Sequence, residues 1–297
     1  MSPGRIRLDL FGSFGTGLSD VLVSCPDAGE ALCGTEGPDY LYTQELAWQR
    51  LSPSLTFGLG KGWQVGVNIP LDHRGVEIRS TTLDGDAYVP PNEDTDRWSG
   101  SRVGLADMRL LVSWFGTVGE RWVVGGGLGS TLPTGTSDPY PIGPAVDGLA
   151  RRPMILGSGT FQPLALVNVI LKGERWGAYL GGNLLLPLYP NGDGYRSPRS
   201  VEIDLGPTFR LTPPLQVVAA LVWGWEGPGI YDGVPLGGQT QVSGSMTVIH
   251  ALSARLTFQA EARLRMAERL LDDTAIEGTT PRAALAMGIT WIFARPE

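Results

Sequence analysis

Charged side chains recur at every second position in several stretches: Arg7-x-Asp9, Asp107-x-Arg109, Glu202-x-Asp204 and Glu261-x-Arg263-x-Arg265. Closely spaced carboxylates are the raw material of general acid–base catalysis. Guanidiniums beside carboxylates instead make ion pairs, or hold and orient a charged solute. Catalysis asks for more, such as a nucleophile beside a base or a set of metal ligands. The two histidines are His73, in a DHR context, and His250, in VIHALS, and neither stands in a motif with a serine and an orienting partner. There is no Cys/His cluster for a metal and no strand–loop–helix glycine motif for a phosphate, so no catalytic residue, metal or cofactor is expected. Cys25 and Cys33 lie in CPDAGEALC. They are close enough to close a small disulfide loop of the kind that persists in oxidising compartments, with two free thiols as the alternative.

The spacing itself says what must position these charges. A period of two belongs to a β-strand, whose successive side chains point to opposite faces. The stretch WQVGVNIPLD puts Trp63, Val65, Val67, Ile69 and Leu71 on one face and Gln64, Gly66, Asn68, Pro70 and Asp72 on the other. Leu256, Phe258, Ala260, Ala262, Leu264 and Met266 alternate in the same way with Thr257, Gln259, Glu261, Arg263 and Arg265. Such runs predict about twelve strands: 4–17, 39–59, 63–80, 101–115, 121–133, 158–171, 176–188, 200–211, 215–226, 238–249, 255–268 and 282–293. Most are far longer than the roughly five or six residues of a soluble strand. Two of them need an extra residue to keep their apolar side chains on one face. One place is between Tyr42 and Leu51, where Leu46 and Trp48 are out of phase with Leu55, Phe57 and Leu59; the other is between Leu105 and Met108.

Short connections at 60–62, 116–120, 172–175, 212–214 and 250–254 alternate with long ones near 18–38, 81–100, 134–157, 189–199, 227–237 and 269–281. This is the rhythm of a transmembrane antiparallel up-and-down β-barrel with short periplasmic turns and long extracellular loops. No segment approaches the roughly 20 apolar residues of a spanning helix, whereas a spanning strand needs only about 9–11. Residues 1–297 read as one such barrel domain in the cell outer membrane, in contact with lipid and lipopolysaccharide. The opening MSPGRIRLDL enters a strand without an apolar leader, as expected of a displaced or engineered start, or of a chain that is not exported.

With lipid outside, the polar row encloses a lumen. By parity it holds Arg7, Asp9, Asn68, Asp72, Asp107, Arg109, Asn183, Glu202, Asp204, Arg210, Gln259, Glu261, Arg263 and Arg265. A lysine or arginine on the lipid side would cost about 2–4 kcal/mol near the midplane, so confinement to one row supports this orientation. Both signs occur together, which does not suit a simple charge-selective ring. The row reads either as a lattice of ion pairs bridging the lumen or as a path whose acidic (Glu202, Asp204) and basic (Arg263, Arg265) patches orient a solute. Trp63, Trp114, Trp122, Trp176, Trp291 and Phe293 lie near strand ends at the short turns, as a periplasmic-side aromatic girdle would, with Trp223 and Trp225 at the opposite rim. In GGGLG (125–129) small residues leave space in the lumen. The loop LDGDAYVPPNEDTD (83–96) is a solvated acidic segment or a collector of divalent cations at a lipopolysaccharide surface, without an EF-hand pattern. The balance of 23 basic to 30 acidic residues argues against a nucleic-acid partner.

A series of motifs now carries a resemblance. GLGKGWQVGVNIPL (58–71), GLADMRLLVSW (104–114), LGSTLPTGT (128–136) and LGSGTFQPLAL (156–166) follow one another in that order. The series resembles the outer-membrane barrel family associated with the meta-pathway of phenol degradation. Members carry a Gly-x-Gly-Asp-like strand start, a Pro-Thr-Gly at a strand end and a following Gly-Ser/Thr-Gly. Here Ala106 replaces the glycine before Asp107, and WIFARPE continues four residues past the aromatic that closes such barrels. The resemblance implies a channel or transporter for a small, aromatic or hydrophobic solute. The competing classes are a non-conducting barrel that anchors or partners a larger assembly, for which the long loop 134–157 is the cue, and a lipid hydrolase with a Ser–His pair on the lipid face.

Overall fold

A computed structural model describes residues 3–23, 38–88, 100–137, 156–231, 233–236, 238–270 and 283–293. The alternating runs form strands β1 (Ile6–Val23), β2 (Tyr40–Gly60), β3 in two pieces (Trp63–Asn68 and Leu71–Thr82) and β4 in two pieces (Gly100–Leu105 and Met108–Val118). There follow β5 (Trp122–Leu132), β6 (Gln162–Leu171), β7 (Trp176–Leu185), β8 (Ser200–Thr212), β9 (Leu215–Glu226), β10 (Gln239–Ala251), β11 (Leu256–Leu270) and β12 (Ala283–Phe293). Each strand pairs antiparallel with its neighbours in sequence, and β1 also pairs with β12 from Ile6↔Phe293 to Thr16↔Ala283, so the sheet closes on itself. Closure leaves no edge strand exposed. Three short strands, Tyr195–Arg196, Gly229–Tyr231 and Val234–Leu236, form a separate small sheet from two of the long connections.

The turn from β2 to β3 shows how tightly the short connections are built. Lys61 adopts φ 50° between Gly60 at 95° and Gly62 at 86°, a left-handed run that glycine makes affordable. A side chain on Gly62 would also collide with the backbone oxygen of Phe115, 2.1 Å from where its Cβ would stand.

Side-chain burial is inverted relative to a soluble protein. Among the described residues the buried apolar side chains are few, and the buried polar set includes Asp9, Thr56, Gln64, Asp72, Ser113, Thr131 and Gln162. Large apolar residues instead face outward, with Leu128 72%, Leu264 62% and Leu205 57% exposed. A water-soluble fold would hide these rows in a core, because exposing them forfeits about 25 cal/mol per Å². Spread around a closed barrel, they form a continuous apolar band, which is the outer surface of a membrane-spanning barrel. Among the described residues no helix is long and apolar enough to cross a membrane, which says nothing against crossing by strands. The molecule is therefore an outer-membrane β-barrel whose odd and even rows meet different solvents.

The two expected bulges have opposite outcomes. Between Leu105 and Met108 the strand is interrupted at Ala106 and Asp107, and the pairing moves from Leu71↔Leu105 to Asn68↔Arg109, one residue more on β4 than on β3. The parity flips, as expected. Between Tyr42 and Leu51 there is no bulge: register with β1 runs unbroken from Ile6↔Phe57 to Val23↔Tyr40. Leu46 and Trp48 therefore stay on the inner row with Tyr40 and Tyr42, opposite Gly17 and Gly15. The physical reason is that the far ends of β2 and β3 have reversed polarity. There Tyr40, Tyr42, Val76 and Ile78 are buried inside, while Glu45, Glu77 and Arg79 are exposed outside and Arg79 bonds Glu77 at 2.6 Å. These ends stand beyond the lipid, where water lies outside, and no extra residue is needed to hide their apolar side chains.

Candidate functional site

At the end with the short turns, aromatic side chains meet both the wall and the outside. Trp63 and Trp114 are register partners on β3 and β4, and the Trp114 indole N–H donates to the Lys61 carbonyl at 3.1 Å. The Trp291 and Phe293 rings stack with centroids 5.2 Å apart. Trp63, Trp122, Trp176 and Trp291 are all exposed on the outer row. Their amphipathic rings meet the physical requirement of a headgroup layer.

The inner row divides by chemistry. On β4–β6 it mixes apolar residues, Leu111 and Phe115 on β4 and Leu164, Leu166 and Ile170 on β6, with Gly125, Gly127 and Gly129 on β5 and the polar Ser113, Thr131, Gln162 and Asn168. The glycines do not leave the open space expected of them. A Cβ on Gly125 would stand 2.2 Å from the Phe115 ring, and one on Gly127 would stand 3.2 Å from Leu111 Cδ1. The ring lies flat on the wall in the place a side chain would take. Phe11 lies across Gly288 of β12 in the same way.

Elsewhere the inner row is charged and internally paired. Arg263 reaches from β11 past the inner faces of β10 and β9 to Glu202 on β8, at 3.0 Å, and also contacts Glu261 at 3.4 Å. Asn183 of β7 joins the same glutamate at 3.4 Å. Asp204, two residues from Glu202 on the same row, lies against Gly181, where a Cβ would meet its carboxylate. On β1, Arg7 donates to Asp9 at 2.9 Å and Thr290 of β12 donates to the same carboxylate at 2.6 Å. Asn68 donates to Ser54 at 2.8 Å. Gln259 faces Gly288 in register. Arg265 contacts Glu268, and Arg210 is exposed near the turn between β8 and β9.

A denser cluster sits where β2, β3 and β4 run side by side. Arg50 grips Asp72 with two bonds, 2.6 and 2.7 Å, and Arg74 adds a third at 3.3 Å, leaving Asp72 with no exposed side-chain surface. The Arg50 guanidinium also lies 5.4 Å from the Trp48 ring centroid, within cation–π range. Neither Arg50 nor Arg74 is among the residues read from the sequence as lumen-lining. Arg50 is hidden by the supposed bulge, and Arg74 by a parity count that stops at Asp72. Arg109, on the adjacent strand, has Arg50, Asp72 and Asp107 as charged neighbours but neither an ion pair nor a hydrogen bond from its guanidinium among the described residues. Its side chain is exposed although the wall surrounds it, so its solvent is that of the lumen.

Asp107 is spoken for by the chain itself. Its carboxylate accepts from the Gly135 N–H at 3.0 Å, the Ser158 N–H at 2.7 Å and the Ser158 hydroxyl. Thr134 accepts from the Met108 N–H at 2.9 Å and donates to the Ala106 carbonyl at 3.3 Å. A methyl on Gly157 would stand 2.5 Å from the Gly135 Cα, so these two backbones touch directly. Three motifs far apart in sequence thus form one knot. Leu156, buried beside it, reaches over the inner face of Gly104. Cys25 and Cys33, most of the acidic loop and the middle of the loop 134–157 lie outside the described residues. His73 and His250 both lie on the outer row, on β3 and β10.

The sequence matches no protein-family model and no curated protein. Among solved structures, an outer-membrane channel from Pseudomonas putida F1 is similar over 99% of this chain and 97% of its own, at 14% identity and a TM-score of 0.62. The NanC porin matches over 95% of this chain and 98% of its own, at 8% identity and a TM-score of 0.45. The first of these likenesses shows the fold of an outer-membrane barrel, in agreement with the closed sheet and the apolar band.

Proposed function

We propose that the barrel is a channel for a small solute with a substantial apolar surface, and that the inner row of β1–β12 is the wall of its path. The observation that carries the reading is the two-sided interior. Apolar side chains of Leu111, Phe115, Leu164, Leu166 and Ile170, with Ser113 and Asn168 among them, sit beside charges that are paired with one another. Paired charges present little net field to a neutral solute, while the flat rings on Gly125 and Gly288 keep bulk out of the passage. Above them the inward Tyr40, Tyr42, Val76 and Ile78 are packed together and buried at the external end. The sequence resemblance to the phenol-degradation barrel family and the fold shared with an outer-membrane channel of Pseudomonas putida support the same reading. Within it, Trp63, Trp114, Trp122, Trp176, Trp291 and Phe293 form the inner-leaflet girdle, and the partners are lipid, lipopolysaccharide and the solute.

Transport of this kind needs lumen geometry and charge placement alone. The test is to reconstitute the purified barrel in planar bilayers and liposomes, and to follow ionic current and entry of a small neutral aromatic such as benzyl alcohol. Current steps, with entry faster than into empty liposomes, are expected. A silent bilayer together with unchanged entry would favour a non-conducting anchor.

A further inference from the structure

Among the charges on the inner row, Arg109 stands apart. The carboxylates around it are already engaged: Asp72 by Arg50 and Arg74, and Asp107 by Gly135 and Ser158. Around Asp72 and Asp107 this side of the lumen holds four guanidiniums, Arg50, Arg74, Arg102 and Arg109, with Arg102 the register partner of Arg74. Arg109 makes no ion pair or hydrogen bond through its guanidinium among the described residues, and it faces lumen solvent. A guanidinium presents five N–H donors in a planar fork that fits a carboxylate with two parallel bonds. Two residues along β4, on the same face, stands Leu111. In register beyond it across β5 stands Leu164. The polar fork therefore adjoins a wall suited to a hydrocarbon body.

From this we infer that Arg109 is a binding site for the carboxylate of a small, otherwise apolar solute, such as an arylcarboxylate, held with its ring toward Leu111 and Leu164. The inference rests on the channel reading above and names the solute class within it. Arg109 binds; Arg50 and Arg74 hold Asp72 out of its reach. A free arginine in a polar pore would bind any small anion, so the apolar wall makes the claim specific. Benzoate must bind more tightly than acetate.

The test uses the full-length barrel, with Arg109→Gln and Arg109→Lys variants whose folding is checked by their mobility on gels without boiling. Benzoate and acetate binding to the detergent-solubilised protein is measured by calorimetry, and entry of benzoate and of neutral benzyl alcohol into liposomes is measured in parallel. The expected result is saturable benzoate binding, at least tenfold tighter than acetate. Arg109→Gln weakens it tenfold or more, Arg109→Lys weakens it less, and in Arg109→Gln benzoate binding falls by a larger factor than benzyl alcohol entry. Equal benzoate binding in wild type and Arg109→Gln would overturn the site, as would equal affinity for acetate and benzoate. Arg109-dependent benzoate binding without entry of either solute would keep the site and overturn the channel. Entry of both solutes with no dependence on Arg109 would keep the channel and overturn the site.

Discussion

Asp72 has no exposed side-chain surface, and a carboxylate so placed depends on the two guanidiniums that reach it. Taking a charge out of water costs several kcal/mol, which is recovered only when geometry and hydrogen bonding are good. Arg50 meets that condition with two bonds from one planar group, whereas Arg74 reaches Asp72 with a single longer contact. Arg50→Gln is therefore expected to destabilise the barrel by about 3–5 kcal/mol, because it strands a buried charge. Arg74→Gln should cost far less. The double variant Arg50→Met with Asp72→Leu should lose less than Arg50→Met alone, since it removes the stranded charge along with its partner. Guanidinium-induced unfolding in lipid vesicles, followed by tryptophan fluorescence, measures all four. A double variant less stable than Arg50→Met would contradict this account of the pair. Arg50 was also the least legible residue of the site. Its parity depends on whether β2 carries a bulge, and a strand that leaves the membrane partway up changes its outside solvent without any change in its backbone.

The number of strands, the alternation of short and long connections, and the interruption at Ala106–Asp107 could all be read from the chain, because period, turn chemistry and parity are local properties; the far end of β1, which runs to Val23 rather than 17, could not. The close contacts were not. GGGLG reads as empty space, yet Gly125 is where the Phe115 ring lies, ten residues away across a hairpin. Likewise Asp107 was placed on the polar row, but its partners Gly135 and Ser158 are 28 and 51 residues distant and meet it only once strands β4, β5 and β6 are side by side. A glycine says that a side chain would not fit without saying what occupies the place. Gly125→Val tests the reading at this scale. Its side chain would drive Phe115 off the wall and into the passage, costing about 1–3 kcal/mol as overpacking does, and ionic current through the barrel should fall. Combining Gly125→Val with Phe115→Ala should restore both stability and current, since the valine then takes the place of the ring. Current that stays low in the double variant would mean that the ring was not the obstruction.

For the whole molecule, what matters is the solvent each face meets. In a protein surrounded by water, a leucine that is 72% exposed is a position where arginine is tolerated to within about 0.5 kcal/mol. Leu128 is such a leucine. It sits near the centre of β5, on the row with Trp122 at one end and Leu132 at the other. If that row touches acyl chains, its exposure has the opposite meaning, and a guanidinium there must either be buried in hydrocarbon or pull headgroups and water toward it. Leu128→Arg is accordingly expected to destabilise the barrel in vesicles by about 2–4 kcal/mol, the midplane value for a spanning barrel. Glu45, exposed on β2 beyond the reversal of polarity, should accept Leu with a change near zero, since water lies outside at that height. One substitution adds a charge and the other removes one, and a water-facing surface would tolerate both. Measured side by side by guanidinium titration in vesicles, a large loss at position 128 beside none at 45 locates the lipid boundary between those two heights. Equal, small effects at both positions would mean that the apolar band is covered by something other than lipid.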